Sequence, residues 1–229
     1  METIPTGNQM MQTTLWKYVP AAAAIAAALL LAVGPGAVTT ALAQAGPEQT
    51  AKFAKTVEGT MKSIDATKAQ LEKTVAGYNS IMDQTAKDTK NAYKGLGKDI
   101  TDSEKKVAEA KLKVDEMNAE AERHFAAWKE STAAISDPAL RQKGEARLAD
   151  AQSRFQKIAV AGKDTRQTFD ALMTDLKNQT TFLGSDLNAA AISSLKPEAA
   201  KFNDRAKGLL GKIDGVNSMF SDYVTAMKP

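Results

Sequence analysis

Two stretches of this chain carry ladders of apolar and small side chains that match each other rung by rung. Along residues 93–128 the spacing alternates between three and four, from Tyr93, Leu96 and Ile100 through Ser103, Val107, Ala110, Val114, Met117 and Ala121 to His124 and Trp128. Residues 148–183 repeat the pattern, from Leu148, Ala151 and Phe155 through Ile158, Gly162, Thr165, Phe169, Leu172 and Leu176 to Gln179 and Leu183. Such spacing puts one stripe on each of two helices. Folding the chain back at Asp137-Pro138 pairs the stripes one to one, because the paired numbers sum to 275 or 276 at every rung. That is the pattern of a long antiparallel helical hairpin. Ala121 then faces Phe155, Val114 faces Gly162 and Ser103 faces Leu172. Large meets small, as an interdigitating core requires.

The same reading predicts two further helices. Val57, Met61, Ile64, Leu71, Val75, Tyr78 and Met82 keep the seven-residue repeat over residues 48–82, with Lys68 the one charged intruder. Leu195, Ala199, Phe202, Ala206, Leu209, Ile213, Val216, Phe220, Tyr223 and Met227 keep it over residues 190–227. Two heptad arrays always give a nearly constant sum, so the information lies in where its centre falls. Seam numbers of the first two helices sum to 171, which centres their turn at Thr85-Ala86, inside the polar stretch from Asp83 to Asp88. Those of the last two sum to 378, centred at Ala189 beside the capping residue Asn188. Asp137 caps the third helix with Pro138 at its first position. Pro197 falls in the first turns of the fourth, where a missing donor costs little. The predicted fold is all-α: an elongated antiparallel up-down-up-down four-helix bundle, or coiled coil, with helices at about 48–82, 88–135, 138–184 and 190–227. One domain, residues 44–229, holds all four.

Residues 1–43 read as a secretory signal peptide. Lys17 precedes the apolar run Ala21–Val33, Gly34-Pro35-Gly36 breaks it, and Ala41-Leu42-Ala43 offers a small-x-small cleavage site. A run of 13 residues is short of the roughly 20 that a membrane-spanning helix needs. Cleavage is therefore favoured over a retained anchor, and the expected location is outside the cytoplasm, periplasmic or secreted. The sequence has no cysteine. It can carry no disulfide, acylated cysteine, thiolate nucleophile, iron–sulfur cluster or covalently attached haem. With 30 basic against 27 acidic residues the net charge is +3, and no long run has one sign. That argues against nucleic acid as a partner.

No phosphate loop or dinucleotide fingerprint occurs. His124 is the one histidine, on the seam with Glu120 a turn before it. It could serve a metal, a non-covalent haem or general-base chemistry. A single histidine without cysteine makes a poor metal site, and Ala121 stands where the Glu-x-x-His motif of helical di-iron proteins needs its glutamate. The expectation is a structural histidine tied to Glu120 or to water, with no metal, no cofactor and no enzymatic activity. Phe53, Phe125 and Phe182 lie off the main seams; they either widen the core or mark a homodimer surface. A first helix starting near residue 48 and a fourth ending near Met227 leave a two-helix tip from about His124 to Ala151. Such a tip cannot bury Trp128 fully. Phe125, Trp128, Arg141 and Lys143 are the candidate contact point there, for an envelope protein or an anionic lipid surface. The alternative is that Trp128 caps the hairpin by packing on Gly144 and Leu148.

Three stretches carry more than periodicity. They are Tyr93-x-x-Leu96 with Ser103-Glu104; Trp128 with Leu140-Arg141 and Glu145-x-x-Leu148; and Phe182-Leu183 with Leu187-Asn188-Ala189, Ile192 and Ser194-Leu195. Through them, over roughly residues 88–215, the chain resembles an exported bacterial coiled-coil family catalogued as domain of unknown function 2959. The pattern Asn-Ala-x-x-Ile-x-Ser-Leu at a helix junction is the most specific of the three, since periodicity does not demand it. The resemblance implies an exported helical bundle with no known activity and supplies no catalytic residues. Family members often resemble lipoproteins with a cysteine after the signal; this chain lacks it, so lipidation is not carried over. The function expected is that of a non-enzymatic scaffold or interaction protein of the bacterial cell envelope. The alternatives are a membrane-surface-binding helical rod and a haem or metal carrier using His124. Charges of both signs on every helix count against strong lipid binding.

Overall fold

The structure is a computed structural model that describes residues 35–227, with side chains from residue 48 onward. The chain divides into two units, residues 1–38 and 39–229, and the packing described below belongs to the second. The apolar run Ala21–Val33 of the expected signal lies outside the described residues. Five helices follow in order: α1 (Pro35–Met82), α2 (Thr89–Ala133), α3 (Pro138–Ser185), α4 (Ala189–Ser194) and α5 (Lys196–Met227). Among the described residues there is no strand, and no helix is long and apolar enough to cross a membrane.

The chain reverses where capping chemistry lets it. Asp88, Asp137 and Asn188 stand outside their helices and accept from the backbone N–H of Asn91, Leu140 and Ala191 respectively. Each contact satisfies one orphan donor of a first turn, worth about 1 kcal/mol. Pro138 follows Asp137 at the first helical position, where its missing donor and fixed φ cost nothing. At the end of α1, Gln84 takes φ 56°, the left-handed conformation that lets the chain turn out of the last helical turn.

Two helix limits differ from those expected. α1 is already helical at Pro35, the first described residue, and so extends well before residue 48. The apolar periodicity that marks residues 53–82 says nothing about how far a helix runs beyond its buried face. The expected cleavage site Ala41–Ala43 falls within that helix. The fourth helix is also not continuous. It is interrupted at Leu195, whose N–H bonds the Ile192 carbonyl three residues back. Pro197 is the cause: it has no N–H for the Ser193 carbonyl and its ring crowds that carbonyl, so the turn tightens before α5 resumes.

Contacts across the seams set the directions. Thr60 donates to the Lys113 carbonyl, Thr67 to that of Lys106 and Thr74 to that of Asp99. Partner numbers fall as α1 rises, so α1 runs against α2. Likewise Tyr93 reaches the Thr180 carbonyl while Thr132 lies against Gly144, which sets α2 against α3. Lys212 bonds Asp164 and Arg205 pairs with Asp175, setting α3 against α5. Lys68, the intruder on the α1 seam, is half-buried and reaches Asp214 of α5 at 2.6 Å, and Asn217 bonds Asp65, closing the ring of helices.

The apolar stripes form the core, in two clusters. One, toward the α1–α2 and α3–α4 turns, gathers Leu71, Tyr78, Leu96, Phe169, Leu176, Phe202 and Leu209. There the buried Tyr78 hydroxyl donates to the Gln179 side-chain carbonyl, and burial raises its pKa to about 12. The other gathers Phe53, Val57, Met117, Ile158, Val216, Phe220 and Tyr223 toward the α2–α3 turn. Leu195 and every α5 seam residue from Ala199 to Tyr223 are buried.

Candidate binding site at the α2–α3 end

Aromatic residues from all four long helices converge near the α2–α3 turn. Phe53 of α1 stacks on His124 of α2 at 5.0 Å between ring centres and 27° between planes. It meets Phe125, Phe155 of α3 and Tyr223 of α5 edge-on at 6.1, 5.6 and 6.1 Å. His124 also lies 5.8 Å from Trp128. Edge-to-face contacts of this kind add roughly 0.5–1.5 kcal/mol apiece beyond area burial. The local sequence explains the convergence. Phe53 sits one heptad before Thr60 on a second α1 row, and His124 and Trp128 continue the α2 stripe past Ala121.

His124 is 5% exposed and makes no hydrogen bond among the described residues. Burial pushes its imidazole below the ordinary value, and the charge of Glu120 opposes that shift. The expected tie to Glu120 does not form. The buried Glu120 carboxylate instead gives one oxygen to Arg123 at 2.8 Å and to Lys52 of α1 at 3.1 Å. Its other oxygen is buried without a partner.

Beside this cluster opens a cleft of about 670 Å³. His124 and Trp128 line it from α2, Arg147, Asp150 and Arg154 from α3, Tyr223 and Met227 from α5, and Gln49 and Thr50 from α1. Two buried polar atoms there have no partner, the Tyr223 hydroxyl and the Gln49 side-chain carbonyl. Burial pushes the Tyr223 phenol well above its usual range, so it enters any contact as a neutral donor. Arg154 is paired with Asp150 at 2.8 Å, whereas Arg147 is exposed and in no ion pair among the described residues. The cleft therefore offers an indole face, a phenol donor and an arginine fork. That set suits recognition of a group that is partly aromatic or apolar and carries a hydrogen-bond acceptor or an anion.

The predicted tip is redrawn. Trp128 lines the cleft and is half-buried, as is Phe125, which belongs to the aromatic cluster. Arg141 is half-buried and Lys143 exposed, and neither lines the cleft; the cations that do are Arg147 and Arg154. Gln49 of α1 and Met227 of α5 share the cleft with Trp128 and Arg147, so all four long helices stand at the base of that stretch, from His124 to Ala151. The space directly over Gly144 is taken by Thr132, which is buried. Of the off-seam phenylalanines, Phe53 is fully buried and widens the core, while Phe182 stays 48% exposed. Among the described residues no group of three or more His, Cys, Asp or Glu is placed to hold a metal ion.

The sequence reading missed Tyr223 and Gln49 as parts of one site. Tyr223 looked like any seam residue, and only the register of all four helices together shows that it shares a level with Trp128. A model of the family described as protein of unknown function (DUF2959) matches residues 40–227. The chain belongs to that family. No curated protein and no solved structure matches it.

Proposed function

We propose that this member of the DUF2959 family is a non-enzymatic interaction protein of the bacterial cell envelope, exported by its first 43 residues, and that it engages its partner through the cleft at the α2–α3 end. The observation that carries the reading is the cleft itself: a half-buried Trp128, a buried Tyr223 hydroxyl without a partner and an unpaired Arg147 on one concave surface. Indole, phenol and guanidinium are the groups that dominate protein recognition surfaces. Binding is favoured over chemistry because His124 stacks on Phe53 and, among the described residues, has no hydroxyl or carboxylate hydrogen-bonded to it, as a base activating a nucleophile requires.

Site-specific photocrosslinking in cells tests this. A photoreactive side chain at Trp128 is expected to give a discrete adduct in the envelope fraction. The same group at Leu112, which is 68% exposed on α2, is expected to give none. Arg147→Glu should abolish the adduct at Trp128 with the thermal midpoint unchanged, since Arg147 is exposed. Equal crosslinking from both positions, or an uncleaved chain in the cytoplasmic fraction, overturns the reading.

A further inference from the structure

Between the two core clusters the α2–α3 seam opens. A cavity of about 430 Å³ lies there, walled by Ala110 and Val114 of α2 and by Gly162 and Thr165 of α3, and floored by Ile213 and Val216 of α5. Two consecutive rungs are small on at least one side, Ala110 with Thr165 and Val114 with Gly162. The deficit is visible at Gly162, where an added Cβ would meet nothing within 4 Å. The core that fills both ends therefore cannot fill the middle. A groove open to solvent and lined mainly by apolar side chains holds its water loosely, so an apolar guest gains by displacing it.

Shape and charge select the guest. The lining runs from Val107 to Asn118 along α2, about 17 Å at the rise of an α-helix. That volume over that length leaves a channel far narrower than a helix, which is about 10 Å across with side chains, and the filled clusters close both ends. An extended hydrocarbon chain fits such a slot, and a partner helix does not. At the mouth lie Lys111, Lys163 and Arg166, against one acidic residue, Asp170. Arg166 is paired with Asp170 and Lys111 with Asp115, whereas Lys163 is exposed and in no ion pair among the described residues. The mouth thus has an ammonium to spare beside an apolar slot.

We propose that the slot binds one long-chain fatty acid, its hydrocarbon chain between α2 and α3 and its carboxylate at Lys163. This site is separate from the cleft at the α2–α3 end and does not depend on the function proposed for it. Each buried methylene contributes about 0.8 kcal/mol, so affinity should climb several-fold with every methylene until the slot is full.

Calorimetric titration of the full chain with palmitate is expected to show saturable one-to-one binding in the micromolar range. Gly162→Leu, which fills the slot, should weaken binding at least tenfold while the thermal midpoint stays or rises. Ala110→Ile from the opposite wall is the second variant, should the first fail to fold. Lys163→Glu should weaken palmitate several-fold and leave hexadecanol, which has the same chain without the charge, unaffected. The proposal is overturned if filled and parent chains bind palmitate alike. It is equally overturned if the parent binds none but sediments with phosphatidylglycerol vesicles, which assigns the rim to a membrane surface, or forms a dimer that Gly162→Leu abolishes, which assigns the slot to a second copy.

Discussion

The α1–α2 and α2–α3 seams carry the same seven-residue repeat, yet one is shut along its length and the other parts in the middle. The closed seam is held by a row no apolar pattern reveals. Phe53, Thr60, Thr67, Thr74 and Ile81 are spaced by seven and are all buried. Each threonine hydroxyl shares its one hydrogen between the carbonyl four residues back on its own helix and a carbonyl of α2, at Lys113, Lys106 and Asp99, again spaced by seven. A helical carbonyl has a second lone pair, and a threonine hydroxyl is short enough to reach it only when the helices lie close. The facing seam has no such row. Where α3 presents Gly162 and Thr165, the Thr165 hydroxyl bonds only Ala161 of its own helix, so nothing draws α2 and α3 together. Periodicity decides which faces meet; what stands on the second row decides how closely.

The sharpest way to break that difference is Thr74→Val. It removes the bond to Asp99 and leaves the fully buried Ser103 hydroxyl without the partner that sits 2.8 Å away. An orphaned buried hydroxyl costs about 1–3 kcal/mol. Thr165→Val on the open seam strands no partner and should change stability by less than about 0.5 kcal/mol. Urea denaturation of the two variants side by side measures the gap. Equal losses would mean that the threonine row is not what closes α1 on α2.

Much of this was legible in the residues. The stripes, the reversals at Asp137-Pro138 and Asn188 and the helical class follow from helix periodicity and side-chain capping, both of which act within a few residues. The threonine row escaped because threonine reads as neutral: its spacing was in plain sight, but its burial depends on a partner helix. The open slot escaped for another reason. Pairing Val114 with Gly162 as large against small presumed that one side chain fills the space the other leaves. Packing is set by total volume per layer, and two adjacent layers there are both short of it. The expected start of α1 near residue 48 came from taking the start of the apolar pattern as the start of the helix.

Two glycines sharpen the comparison at smaller scale. Gly162→Ala adds a methyl group into empty space and raises helix propensity, so it should stabilise the chain by about 0.5–1 kcal/mol. Gly144 lies on the same α3 helix, but an added Cβ there would fall 2.8 Å from the Thr132 methyl group, and Thr132 is buried and cannot move aside cheaply. Gly144→Ala should therefore forfeit the propensity gain and lower the thermal midpoint. A shared sign for the two variants would contradict the view that α2 and α3 touch at their turn and part at their middle.

The smallest effect expected is a pH dependence confined to the tight end. His124 is buried against Phe53, and burial holds its folded-state pKa below the unfolded value of roughly 6.5. Between those two values the unfolded chain binds the extra proton, so this contribution to stability is present above pH 6.5 and is lost as the pH falls toward the folded value. The groups around the ring are Glu120 on its own helix, whose charge opposes the shift, and Arg147, Asp150 and Arg154 across the cleft on α3. One group can contribute at most about 1.4 kcal/mol per pH unit, and the opposing carboxylate keeps it below that ceiling. Unfolding of the parent chain and of His124→Gln between pH 7 and pH 5 isolates the effect: the parent should lose more stability on acidification than the variant. Parallel curves would mean that the imidazole is as well solvated in the folded chain as in the unfolded one. The cleft would then reach past Trp128 to the ring, and the aromatic end would be the looser of the molecule's two packed ends.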